Sequence, residues 1–66
     1  MRKKIKHLMI DRDMTTSDLA EVLGCSRQYL HQIITGKSNG SYTFWKSFKE
    51  VLQIPDEEIE KYKELS

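Results

Sequence analysis

The sequence predicts an all-α fold, five short helices in one compact domain, and three observations carry that expectation. Apolar residues recur at helical spacing in five separate stretches. Helix start and stop residues, Thr15, Gly24, Ser26, Gly36 and Pro55, fall between those stretches. The chain of 66 residues is long enough for one minimal core and no more.

From Lys3 to Arg12, Ile5, Leu8 and Met9 fall at helical spacing with Ile10 beside them, which predicts a first amphipathic helix. It should stop near Asp13, because aspartate tolerates turn conformations. Thr15 is then a good N-cap, and Thr15-x-x-Asp18 has the form of a capping box opening a second helix whose inner stripe is Leu19, Ala20 and Leu23. Gly24 suits the left-handed exit from that helix, and Ser26 can cap a third only two residues later, so the two must cross steeply. The third helix buries Leu30, Ile33 and Ile34 and ends at Thr35-Gly36, before a stretch of loop composition over residues 37–41. A fourth helix, from about Tyr42 to Gln53, carries Phe44, Phe48, Val51 and Leu52 inward with Trp45 flanking. Pro55 interrupts it. Asp56, Glu57 and Glu58 place negative charge at the positive end of a fifth helix, whose apolar positions are Ile59, Tyr62 and Leu65.

Composition narrows the function classes. Charged residues are 32% of the chain and hydrophobic ones 38%, ordinary for a globular domain. No apolar run approaches membrane-spanning length, and the basic start Met1-Arg2-Lys3-Lys4 leads into charged positions rather than a signal-peptide core, so a cytoplasmic location is expected. The single cysteine, Cys25, cannot form an internal disulfide, and His7 and His31 do not have metal-ligand spacing, so no metal or cofactor is expected. Nor do a nucleophile, a base and an orienting group converge, so an enzyme is not expected. The net charge is only +1, yet it is lopsided: residues 1–40 hold seven bases against four acids, and residues 41–66 four against six. A basic front suits a face turned to phosphate.

Within residues 14–37, Ala20, Gly24 and Leu30 have a mechanical reason for their spacing. Ala20 is small enough for two helices to cross closely, Gly24 makes the turn, and Leu30 packs back beneath Ala20. With Ser26 as second cap and Gly36-Lys37 closing the segment, residues 16–35 have the form of a helix-turn-helix made by helices 2 and 3. The segment resembles the lambda-repressor-like family of phage repressors, Cro proteins and related Xre-type bacterial regulators. The first, fourth and fifth helices match that family's five-helix domain too, so the resemblance covers nearly the whole chain, read as one domain over 1–66.

The resemblance implies double-stranded DNA as partner, with the third helix in the major groove and Arg27, Gln28 and Gln32 at base edges. The side-chain chemistry suits this independently, since arginine pairs bidentately with guanine and glutamine with adenine. Taken without the motif, the same residues are simply the solvated face of an amphipathic helix. Ser26 and His31 border them. Tyr29 either touches the sugar-phosphate backbone or covers the edge of the core. Phosphate contacts are expected from Thr16, which stands where the family often has a longer glutamine, from Ser17, and from Lys37, Ser38, Asn39, Ser41, Tyr42 and Thr43. Lys3, Lys4 and Lys6 add at most unspecific attraction.

Two departures from the family pattern have physical readings. Where many members pair an arginine on the first helix with a glutamate near the end of the third, this chain has Met9 and Ile34, an apolar pair that strands no charge. Lys49 replaces a usual small residue, and its stem can pass along the core with the ammonium in water. Phe44, Trp45 and Phe48 read as core. Trp45 and Tyr62 are expected to stay partly exposed and, with Ile59 and Leu65, to offer a dimer patch. Cys25 reads as a half-buried inert thiol. The whole points to a sequence-specific transcriptional regulator, a phage or mobile-element repressor or Cro-like protein that binds its operator as a homodimer, at least on DNA. The competing expectation is a protein-interaction module of the same fold, acting as an antirepressor or antitoxin-like partner with little DNA binding, which the near-neutral charge, Thr16 and the acidic fifth helix favour.

Overall fold

A computed structural model describes residues 1–65; Ser66, the last residue of the expected domain, lies outside the described residues. Among the described residues the chain forms five helices, α1 (Lys3–Asp11), α2 (Thr16–Leu23), α3 (Arg27–Thr35), α4 (Tyr42–Leu52) and α5 (Asp56–Lys63). The molecule measures 26 × 22 × 22 Å. None of these helices is long and apolar enough to cross a membrane.

Local chemistry sets the helix limits. Beyond α1, Asp13 takes a positive φ of 54°, and the Met14 N–H donates to Met9 O at 2.8 Å. The capping box then forms in full: Thr15 Oγ1 accepts from the Asp18 N–H at 3.1 Å, and the Asp18 carboxylate accepts from the Thr15 N–H at 3.0 Å. These backbone and side-chain bonds from Thr15 hold the Asp18 carboxyl below the usual aspartate range. A folded-state pKa that is depressed stabilises the fold above the unfolded value and ceases to do so as pH falls through the folded one. Asp18→Asn should therefore melt below the parent at neutral pH, with the gap closing as the pH is lowered through the acid limb. Thermal melts across pH check this, and a gap independent of pH would show that the carboxylate charge is not what the box uses.

At the end of α2, Gly24 sits in the left-handed region at φ 72°, and Cys25 N–H donates back to Ala20 O at 3.0 Å, so the helix ends in one residue and the chain turns sharply. An added Cβ at Gly24 would meet nothing within 4 Å, so the requirement there is backbone conformation and not space. Ser26 Oγ accepts from the Tyr29 N–H at 3.0 Å and opens α3. Ser41 caps α4 in the same way through the Phe44 N–H. The carbonyl of Leu52, at the end of α4, is met by the Arg12 guanidinium at 3.1 Å.

Helix α2 packs against both α3 and α4, and α1 against α3 and α5. Their shared core contains Ile5, Met9, Leu19, Ala20, Leu23, Leu30, Ile33, Ile34, Phe44, Trp45, Phe48, Leu52, Ile54 and Tyr62. Met9 and Ile34 are thus both buried, and neither of these two positions strands a charge.

Three expectations need correction. Trp45 and Tyr62 are not exposed: they retain 7% and 9% of their accessible surface. Their rings lie 5.4 Å from that of Phe48, and cations cover their outer faces, Arg2 and Lys63 over Trp45 at 5.6 and 6.0 Å and Lys4 over Tyr62 at 5.1 Å. The proposed dimer patch therefore loses its two aromatic members. Val51, expected inside, is 43% exposed, while Ile54 beyond the helix end takes a core position. Leu65 lies past the end of α5, close over Gly36. Lys49 has a partner as well as water: it pairs with Asp56 at 2.7 Å and ties α4 to α5, and that bond holds its ammonium above the ordinary lysine range.

Candidate nucleic-acid interface

The tight exit at Gly24 and the cap at Ser26 bring the first turn of α3 beside the first turn of α2. Thr16 from α2 and Arg27, Gln28 and His31 from α3 together line a groove of about 460 Å³. Arg27, Gln28 and His31 are exposed and Thr16 is half-buried. None of these four side chains is engaged within the fold. Lys49 pairs with Asp56 and Lys63 with Glu60, while neither Arg27 nor Lys37 has an ion-pair partner among the described residues, so the charges of those two stay uncommitted. A concave polar surface with unengaged donors and one guanidinium is chemically fit to meet an anionic, hydrogen-bonding ligand.

Gln32 lies one turn beyond Gln28 on α3, half-buried and outside the lining of that groove. Ser17 is exposed on the first turn of α2. Ser26 commits its hydroxyl to capping. Tyr29 resolves on the core side of its two alternatives without losing its polar end. Its ring stands edge-on to Phe44 at 5.9 Å, and its hydroxyl accepts from the Ser41 N–H at 3.0 Å. That bond uses a lone pair of the oxygen, and the O–H remains a donor.

The segment from Lys37 to Thr43 forms a second polar edge. Lys37, Asn39, Ser41, Tyr42 and Thr43 are exposed, whereas Ser38 is half-buried and its hydroxyl accepts from the Gly40 N–H at 3.3 Å. Ser41 and Thr43 join Tyr29 and Cys25 around a shallow groove of about 190 Å³. Cys25 is half-buried there, and burial pushes its thiol pKa up, which disfavours the nucleophilic thiolate. No group of three or more His, Cys, Asp or Glu residues able to hold a metal ion occurs among the described residues.

The family model described as a helix-turn-helix domain matches residues 2–61. The chain belongs to the helix-turn-helix domain family. It is accordingly a DNA-binding regulatory domain of the Xre/Cro type and not an enzyme. Comparison with curated proteins and with solved structures gave no match.

One functional candidate of this helix-turn-helix domain escaped the sequence reading. Arg2, which the sequence offers only as one of the bases of the chain's front, is 3% exposed and has its guanidinium against the C-terminal end of α3. Burial lowers its pKa from the ordinary arginine value. The acceptors that hold it lie 31, 36 and 61 positions away, so no local pattern announces them.

Proposed function

We propose that α2, the Gly24 turn and α3 are the helix-turn-helix proper, over residues 16–35, and that α3 enters the major groove of an operator. The observation that carries this reading is the groove in which half-buried Thr16 meets the exposed Arg27, Gln28 and His31, because none of the four side chains is otherwise engaged. Arg27 and Gln28 reach base edges there, Gln32 extends the reading by one helical turn, and His31 and Ser26 border them. Thr16 and Ser17 bring free amides and hydroxyls of the α2 N-terminus to one phosphate strand. Lys37, Ser38, Asn39, Ser41, Tyr42 and Thr43, with the O–H of Tyr29, meet backbone at the other edge.

The operator is read by two copies. Successive major-groove faces on one side of a duplex lie about 34 Å apart, more than the 26 Å longest dimension of one chain. One domain covers a single half-site, too few bases for specificity in a genome. The role that this reading favours is a repressor or Cro-like regulator of a phage or mobile element.

Titrating salt against a random-sequence duplex tests the binding itself. Log affinity should fall linearly with log salt, with a slope near −0.9 per phosphate neutralised, so that the slope counts the ionic contacts the domain makes. Selection of bound duplexes from a random pool should then enrich a palindrome with half-sites one turn apart. Absence of binding at low salt would instead favour the protein-interaction module.

A further inference from the structure

We infer that Arg2 is a positioning residue for DNA binding: from a buried site it fixes the segment from Lys37 to Ser41 against the end of α3, so that this edge is ready for phosphate. The inference rests on the DNA-binding reading above and concerns a residue that itself cannot reach DNA.

Among the described residues Arg2 is the one buried polar or charged side chain. Its Nη1 donates to Ile33 O at 2.6 Å and to Ser38 O at 2.9 Å, and its Nε donates to Lys63 O at 2.9 Å. Its backbone N–H donates to Ile34 O at 2.7 Å. Ile33 and Ile34 belong to the last turn of α3, where carbonyls lack helical partners and the helix dipole favours a cation. One planar fork thus joins the end of the proposed reading helix, the following loop and the end of α5.

Trp45 completes the tether. The Arg2 guanidinium lies over its ring, and its indole N–H donates to Asn39 O at 2.9 Å. The loop also lies flat on that ring: a Cβ at Gly40, where φ is +78°, would come within 2.7 Å of Trp45 Nε1. With the carbonyls of Ser38 and Asn39 both drawn inward, the side chains of Lys37 and Asn39 stay exposed. An apolar plug at position 2 would fill the same space but leave the Ser38 and Lys63 carbonyls without this donor. A flexible loop would pay ordering entropy on each DNA encounter, which the tether removes beforehand.

Arg2→Lys keeps the charge and loses the fork. Two readouts are taken where circular dichroism shows the variant fully folded: the salt slope on a random-sequence duplex, and hydrogen exchange at the Ser38 amide and Trp45 indole relative to the Leu23 amide. Random-duplex affinity should fall about tenfold, the slope should become shallower by about 1, the equivalent of one phosphate contact, and the two loop protons should exchange faster while Leu23 does not. Because Arg2 is buried, a shallower slope cannot reflect a lost direct contact. A uniform rise in exchange with an unchanged slope would overturn the inference and leave Arg2 as a source of global stability only. Should Arg2→Lys not fold, Trp45→Phe removes the other tether and must show the same shallower slope and faster Ser38 exchange; an unchanged slope there overturns the inference too. If the parent protein shows no salt-dependent duplex binding, the DNA-binding reading fails and takes the positioning role with it, while a parent that binds normally beside an unaffected variant sinks the positioning role alone.

Discussion

Phe48→Ala is expected to leave the helix-turn-helix domain largely unfolded at 37 °C. Phe48 has no accessible surface, and its ring is surrounded by those of Phe44, Trp45 and Tyr62 at 6.0, 5.4 and 5.4 Å. Truncating a buried phenylalanine costs about 3–5 kcal/mol through lost transfer energy and the cavity left behind. A chain of 66 residues, at about 0.05–0.15 kcal/mol per residue, has only about 3–10 kcal/mol in total. The cost is therefore comparable with the whole stability, and with Cys25 as the single cysteine no internal disulfide offsets it. Far-UV circular dichroism should show lost helicity or a melting midpoint far below the parent's. A cooperative transition within a few degrees of the parent would mean that the aromatic cluster carries much less of the fold than its burial implies.

Arg27→Ala should have the opposite profile, with folding untouched and operator binding weakened. Its side chain is exposed and has no partner inside the fold, so the unfolding free energy should change by no more than the roughly ±0.5 kcal/mol typical of surface changes. A bidentate arginine contact to guanine contributes about 1–3 kcal/mol of discrimination, which is roughly 5- to 150-fold in affinity. Operator binding should weaken by that factor, and random-sequence binding by much less. Titration of both duplexes with both proteins checks it. Equal losses on the two duplexes would show that Arg27 meets phosphate and does not read sequence. The contrast with Phe48 also separates the scaffold from the contact surface, since one substitution removes the fold and the other only what the fold presents.

The parts of this structure that were legible in advance are those whose physics is local. Thr15 and Asp18 satisfy each other's backbone donors across three residues, Ser26 does the same for α3, and Gly24 takes up a conformation that other residues resist. Such signals need no knowledge of what lies across the core. The grouping of Thr16 with Arg27, Gln28 and His31 was partly legible, because a two-residue connection leaves two helices few ways to cross. The exposure of Trp45 and Tyr62 was misread for the converse reason. Helical spacing identifies an apolar stripe but not how far neighbouring elements close over its flanks, and here Arg2, Lys4 and Lys63 cover them with aliphatic stems and cations. Val51, expected inside, lies outside, and Ile54 takes a core position, because α4 ends at Leu52 and the turn before Pro55 directs the next apolar side chain inward.

By itself the sequence determined five helices, their caps and turns, most of the core, and a third helix whose outer face is polar and basic at its start. Periodicity and capping act over three or four residues, and that range is written directly in the order of side chains. Only the tertiary structure decided the place of Arg2. The guanidinium is buried because three carbonyls from α3, the following loop and α5 converge on one point, and these groups become neighbours only after the chain has closed on itself.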